Sequence, residues 1–373
     1  MKKIIFYFII NSLCISFSIA QTKIPLVESM SLTERKISNY ASSIRYVALE
    51  TTDECLLTGE LQIITTAQYI FVHDQLECKM YRFDATTGKY LNRIGRKGQG
   101  PGEYVRLHGF YIDDLERKCF LFCNTGIYVY NYKGDFLKKI SLPRSYCSSR
   151  MERIGNYYVL NNVLYLDTKK ELCLLDLQGK MIKERLLSYK APIGFMLSIP
   201  FFYKQDGRCY YKNDLSETIY LLDEKLSLKP AYQIDCGKKA TNPREDQFDI
   251  NRGKYLVNGK IVIGRINGYK NKLYIPYFVN NKRFLAIYDI QTASIITVGK
   301  NGESGITDDL TDGPIILPPE KCSLYSSCVP GQLISWLYPG DIDTRKYTKG
   351  AFAKILKQVD EDSNPILRII NLK

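Results

Sequence analysis

The sequence predicts an all-β fold: a six-bladed β-propeller of four-stranded antiparallel blades, its last blade closed by strands from both chain ends. The first observation behind this is a repeat of roughly 46 residues, in which an apolar run meets an Asp or Asn and then a Gly-containing turn. It reads Tyr81-Arg82-Phe83-Asp84 to Gly88, Tyr128-Val129-Tyr130-Asn131 to Gly134, Leu174-Leu175-Asp176 to Gly179, and then Leu221-Leu222-Asp223. A fifth copy, Ala286-Ile287-Tyr288-Asp289, arrives after a longer step. The second observation is that short apolar runs separated by polar turns fill each repeat, which is how propeller blades read in sequence. The third is a strand-like run near each end, at 44–49 and 366–372. Pairing these two would remove the exposed edges of an open array.

The elements follow in order. Lys2-Lys3, the apolar run 4–10 and Ser18-Ile19-Ala20 describe a signal peptide over residues 1–20, cleaved after Ala20. Asn11 and Ser12 interrupt the apolar stretch too early for a membrane span. Leu13 stands before Cys14 where a lipobox needs a small residue, which argues against a lipid anchor at Cys14. Residues 21–42 read as an extended lead-in, and 43–373 as one propeller domain. Its visible blades cover 61–94, 107–140, 153–187, 198–234 and 262–298.

The long step between blades four and five contains Asn242-Pro243-Arg244-Glu245, an N-cap, a proline at the first helical position and a capping-box Glu. A short helical insertion is therefore expected near 241–255. Glu245, Asp246 and Asp249 there read as complements of the helix dipole rather than as metal ligands. Beyond 298, strands are expected at 315–317 and 333–336, then a C-terminal helix near 345–359 with Phe352, Ile355, Leu356 and Val359 on one face. Together with 44–49 and 366–372 these supply the sixth blade.

The net charge of +13 could suggest a polyanionic partner. Its Lys and Arg residues are scattered among turns, however, with no basic run and no nucleic-acid motif, so nucleic acid is not expected as a partner. Most of the eleven cysteines sit singly inside apolar runs, as Cys173 does, and read as buried small hydrophobes. Cys119 and Cys123 are too far apart along one strand to bridge. Cys322 and Cys328, flanking a loop, are the best disulfide candidates. The two histidines, His73 and His108, are too few for a catalytic zinc with three His ligands. His73 ends an apolar strand and reads as a structural imidazole. No G-x-S-x-G is present to suggest a hydrolase elbow. The 29 tyrosines read mainly as strand and core residues, with some left for contact at a channel mouth.

The stretch Ile94-Gly95-Arg96-Lys97-Gly98-Gln99-Gly100-Pro101-Gly102-Glu103-Tyr104 resembles the connector of exported six-bladed, NHL-like β-propeller proteins abundant in gut Bacteroidetes. Val47-Ala48-Leu49-Glu50-Thr51-Thr52 and Asn364-Pro365-Ile366-Leu367 are similar to that group's first and last strands. The resemblance spans nearly the whole mature chain and implies the fold. It implies no catalytic residues. The connector lacks the G-K-[ST] ending of a phosphate-binding loop and reads as an inter-blade turn, with Gly95, Gly98, Gly100 and Gly102 free to take positive φ. Val298-Gly299-Lys300-Asn301-Gly302-Glu303 stands in the equivalent place after blade five. Asp84-Ala85-Thr86-Thr87-Gly88-Lys89 resembles the turn of quinoprotein dehydrogenase blades, but Leu91 stands near the place of their docking tryptophan, so only turn chemistry is shared.

These readings point to an exported, non-catalytic binding or scaffold protein of the cell envelope, monomeric and either periplasmic or at the cell surface. Its ligand would be a protein, peptide or glycan, bound without a cofactor or metal, and no catalytic or binding residue is singled out. The alternative is a propeller lyase or hydrolase acting on a glycan or peptide through carboxylates at the central channel.

Overall fold

The computed structural model describes residues 21–143, 150–162, 169–187, 200–213, 216–241, 248–249, 254–255, 259–280, 282–300, 302–316 and 325–373. Five sheets of repeating design form the blades of a β-propeller. Each runs inner to outer through four consecutive antiparallel strands, as in blade two: Leu107–Asp113, Lys118–Cys123, Gly126–Asn131 and Phe136–Ile140. In blade five the inner position is split between Val262–Ile263 and Asn267–Tyr269, both paired to Lys272–Val279.

Sandwiching between neighbours explains the sequence pattern. Ile70, Phe71 and Val72 in the second strand of blade one are all fully buried, because both faces of the sheet meet another blade. Such strands read as unbroken apolar runs. The outer strand Tyr90–Arg93 instead alternates between half-buried and exposed residues. The core is correspondingly a ring of separate clusters, one per junction. Phe71 and Met80 of blade one pack with Phe110 and Leu121 of blade two, and Phe120 and Val129 of blade two with Tyr158 and Cys173 of blade three. Burying each such side chain contributes about 1.5–3 kcal/mol.

The repeat that announces the fold is an Asx turn at the outer hairpin of every blade. The side-chain oxygen of Asp84 accepts the N–H groups of Thr86 and Thr87 at 2.9 and 2.8 Å. Asn131, Asp176, Asp223 and Asp289 accept equivalent bonds from residues two to four positions on. The turn closes on a residue in the left-handed region. This is Gly88, Gly134 or Gly179 in the first three copies, Leu226 in the fourth and Ala293 in the fifth.

The expectation of six four-stranded blades is corrected to five. The strands from both termini do meet: Ala41–Ala48 and Gln332–Leu337 flank Ile366–Leu372 antiparallel, and this sheet completes the ring. Among the described residues it has three strands, because the expected fourth is not supplied. Ile316 makes only an isolated bridge to Ile306. Tyr325–Ser327 runs parallel along Leu61–Thr65, the inner edge of blade one, and extends that sheet to five strands.

The lead-in is tied down across two outer edges. Thr22–Ile24 pairs parallel with Leu228–Ile234 of blade four, and Leu32–Thr33 with Ser294–Lys300 of blade five. Ile24 and Leu26 of this arm are fully buried. In the interval 241–255, where a helix is expected, Phe248–Asp249 pairs with Lys254–Tyr255 as a two-stranded ladder. The proposed cap Asn242 to Glu245, with Asp246, lies outside the described residues, as do the signal peptide and Cys322. A helix does occupy Gly350–Leu356, with Phe352 fully buried against Tyr46 at a centroid distance of 4.8 Å. The eight described cysteines are all free, Cys119 and Cys123 included.

Candidate functional site

The inner strands converge on a central channel, and one side chain from each of several blades meets there. Tyr111 comes from blade two, Glu152 from the inner strand Met151–Ile154 of blade three, and Lys204 from Phe201–Gln205 of blade four. Arg265 comes from the break between the two inner pieces of blade five. Cys328 follows the strand laid along blade one, held by its N–H bond to Thr65 O at 2.7 Å, and its Sγ approaches Ile112 O at 3.9 Å. Cys328 keeps solvent-accessible surface although protein crowds it on nearly every side. Lys204 shows the same combination, its side chain half-exposed at 50% yet densely surrounded. Contact with neighbouring inner strands together with access to solvent places both residues on the inner face of the ring, where a propeller has its central channel.

Glu152 is the hub. Its Oε1 accepts from Lys204 Nζ at 2.8 Å, from the Arg153 backbone N–H at 3.0 Å and from Tyr111 OH at 3.3 Å. Crowding opposes the Lys204 ammonium, but the charge and hydrogen bond of Glu152 outweigh it and hold Lys204 above the ordinary lysine range. Burial pushes the Cys328 thiol up to about 12, reinforced by Glu152 and Asp114, so it stays a neutral thiol at physiological pH. Burial likewise lifts Tyr111 well above a normal phenol.

Arg265 differs from its neighbours. Among the described residues its only hydrogen bond is a long one, Nη2 to Phe202 O at 3.5 Å, and its Nε is enclosed with no partner. Desolvation lowers its pKa, offset by the charge of Glu152 and by Cys328. The other carboxylates nearby are engaged. Asp113 receives Arg153 Nη1 at 3.0 Å and Tyr158 OH at 2.6 Å, and Asp114 receives Tyr132 OH at 2.9 Å.

The residues weighed from the sequence lie elsewhere. His73 is completely buried at the junction of blades one and two, its Nδ1 3.3 Å from Gln62 Oε1. His108 contacts Asn124 on the exposed side of blade two. The Gly-rich connector is a structural turn whose amides bond within it: Gly98 N–H to Tyr104 O, Tyr104 N–H to Arg96 O, and Gly100 N–H to Glu103 Oε2. Only Gly95 and Gly102 of its four glycines take positive φ, a narrower use than expected. A Cβ on Gly95 would meet the Tyr130 ring at 2.8 Å, which fixes the need for glycine there. A shallow depression of about 490 Å³ lined by Glu34, Arg35, Lys36, Asn39 and Tyr40 belongs to the N-terminal arm and not to the channel. Among the described residues no cluster of His, Cys, Asp and Glu is arranged to hold a metal ion.

Sequence reasoning missed the channel residues. The available signal was a charge set among apolar neighbours of an inner strand, as Arg265 stands between Ile263 and Ile266.

A family of domains of unknown function, DUF4934, matches residues 21–371. The chain belongs to that family. Among solved structures, this DUF4934 member resembles a protein of Bacteroides fragilis inferred to be exported. The TM-score is 0.68 at 18% identity, over 94% of this chain and all of that one, or 100%. A DUF4221 member from Bacteroides vulgatus superposes at 0.51 with 11% identity, over 89% and 97% of the two chains. Both show the propeller fold alone. A catalytically inactive virginiamycin B lyase from Staphylococcus aureus reaches only 0.45 at 12% identity, over 71% and 78%, and carries no chemistry across. No curated protein matches the chain. Among the described residues no helix is long and apolar enough to cross a membrane.

Proposed function

We propose that this DUF4934 protein is an exported, non-catalytic binding propeller of the bacterial cell envelope, taking a protein, peptide or glycan at its central channel. The observation that carries this reading is the ring of Tyr111, Glu152, Lys204 and Arg265, contributed by four blades to a channel that solvent reaches. A propeller needs no charges there to fold, and loops or rims on such scaffolds commonly carry recognition. Export is supported by the signal-peptide pattern over 1–20 and by the likeness to the Bacteroides fragilis protein inferred to be exported. The protein acts as a monomer, cleaved after Ala20, and uses no cofactor.

Lyase or hydrolase chemistry at the channel is the weaker reading. A general base or acid needs a carboxylate free to exchange its proton, and Glu152 is held by an ammonium, a phenol and an amide. The test is a pull-down with the mature chain from envelope extracts combined with a glycan array. A reproducible partner is expected, and its absence from both would overturn the proposal. Protease accessibility on intact cells separates a periplasmic from a surface location.

A further inference from the structure

We propose that Arg265 is the anchor for a carboxylate group of the channel's ligand. This deepens the binding reading above and rests on it.

The inner edge of blade five breaks at Gly264–Ile266, between the two strand pieces that pair with Lys272–Val279. Gly264 N–H still bonds Pro276 O at 2.7 Å, so the break is fixed rather than frayed. Arg265 sits inside it. Arg265 is half-buried and its Nε is enclosed, so part of its hydration is lost and fixed partners must replace it. Among the described residues the contacts of Arg265 replace little of that hydration: one 3.5 Å bond to Phe202 O, and an enclosed Nε bonded to nothing. The surrounding carboxylates are each committed to another group: Glu152 to Lys204 and Tyr111, Asp113 to Arg153 and Tyr158, Asp114 to Tyr132. Among the described residues Arg265 is therefore the cation of this ring without a carboxylate of its own.

The chemistry of the missing partner follows from the fork and from the neighbours. A planar guanidinium presents parallel N–H donors that match a planar carboxylate two-to-two. A phosphate dianion would bring a second negative charge towards Glu152 and Asp114, already close enough to act on Cys328. One carboxylate supplies the single charge that is lacking. Lys204 stands beside it, half-exposed at 50% and with one N–H direction used on Glu152, and can donate to the same ligand.

Two common sources present such a group, a uronic acid and a peptide C-terminus, and calorimetry on the mature chain separates them. The probes are digalacturonate and its methyl ester, and N-acetyl-trialanine as free acid and as amide. One acid is expected to bind, its neutral counterpart at least tenfold more weakly, with affinity falling as NaCl rises. Arg265→Gln should weaken the acid at least tenfold, and Arg265→Lys, which keeps the charge and loses the fork, by less. Because acid and neutral probes are compared on the unaltered protein, a misfolded variant leaves the test intact. If neither acid binds, or if Arg265→Gln binds as well as the parent, the assignment is overturned. A pull-down or array partner retained by Arg265→Gln would then leave the binding reading standing, whereas the loss of all partners removes both.

Discussion

His73 should make the protein acid-sensitive through one buried imidazole. The ring is fully buried, Nδ1 lies 3.3 Å from Gln62 Oε1, and Nε2 is enclosed with no hydrogen-bond partner. Nδ1–H donating to Gln62 leaves a bare lone pair at Nε2. Protonation would create a charged N–H there with no acceptor. Burial is the main cause that depresses His73, with His108 adding to it and the Asp74 carboxylate opposing, and the result is about 4 against an ordinary 6.5. A depressed folded-state pKa means that the unfolded chain binds the proton first as pH falls. The stability tied to neutral His73 is thus complete above 6.5 and lost progressively down to about 4. A shift of about 2.5 units at roughly 1.36 kcal/mol each corresponds to about 3 kcal/mol. Urea unfolding of the parent and of His73→Gln across pH 7.5 to 4 isolates this, since the carboxylates titrate alike in both. The parent should lose about 3 kcal/mol more than the variant over that range. Parallel pH profiles, or an imidazole resonance of His73 titrating near 6.5, would refute the reasoning.

Three further substitutions probe the scaffold. Gly88→Ala places a Cβ 1.9 Å from the Ala48 carbonyl oxygen at a φ of +73°, and should cost about 2–4 kcal/mol in chemical denaturation. Ala293→Gly, at an exposed turn residue with φ +55°, should instead stabilise by about 0.5–1 kcal/mol, the left-handed strain relieved less the added chain entropy. Arg368 is fully buried and bonds Ser335 Oγ at 2.9 Å and Pro314 O at 2.7 Å, so Arg368→Ala should cost about 3–5 kcal/mol and Arg368→Met, which refills the volume, less.

The blades were legible because their marker is local. An Asp or Asn that caps its own turn leaves its trace within a few residues, so all five copies could be found even where Leu226 or Ala293 had replaced glycine. The blade count was not, because it depends on partners far apart in sequence. Whether Tyr325–Ser327 joins Gln332–Leu337 or the inner edge of blade one is decided by where blade one's edge lies in the closed ring. The channel was harder still. Its residues occupy different places in their repeats: Glu152 in the middle of its strand, Lys204 next to the end of another, Arg265 in a break. A repeat detects what copies share, whereas a site built from one dissimilar residue per blade is invisible to it.

Two arginines near the ring's interior separate folding from function. Arg368 is buried in the closing sheet, and its hydrogen bonds fasten the 308–314 segment to that sheet, with Tyr46 OH on Asp308 at 2.9 Å beside it. Every part of that arrangement is accounted for by holding the ring shut. Among the described residues Arg265 fastens almost nothing: one long bond to a carbonyl, an orphaned Nε and no carboxylate of its own. Replacing Arg368 leaves the Ser335 hydroxyl and the Pro314 carbonyl without their donor, whereas replacing Arg265 deprives only the Phe202 carbonyl of one long bond. Arg265→Met should therefore leave stability unchanged or raised while abolishing carboxylate binding, and Arg368→Met should lower stability and leave binding intact. If instead both variants lose stability alike, Arg265 is a structural group, and the channel's unmatched charge has no bearing on a ligand.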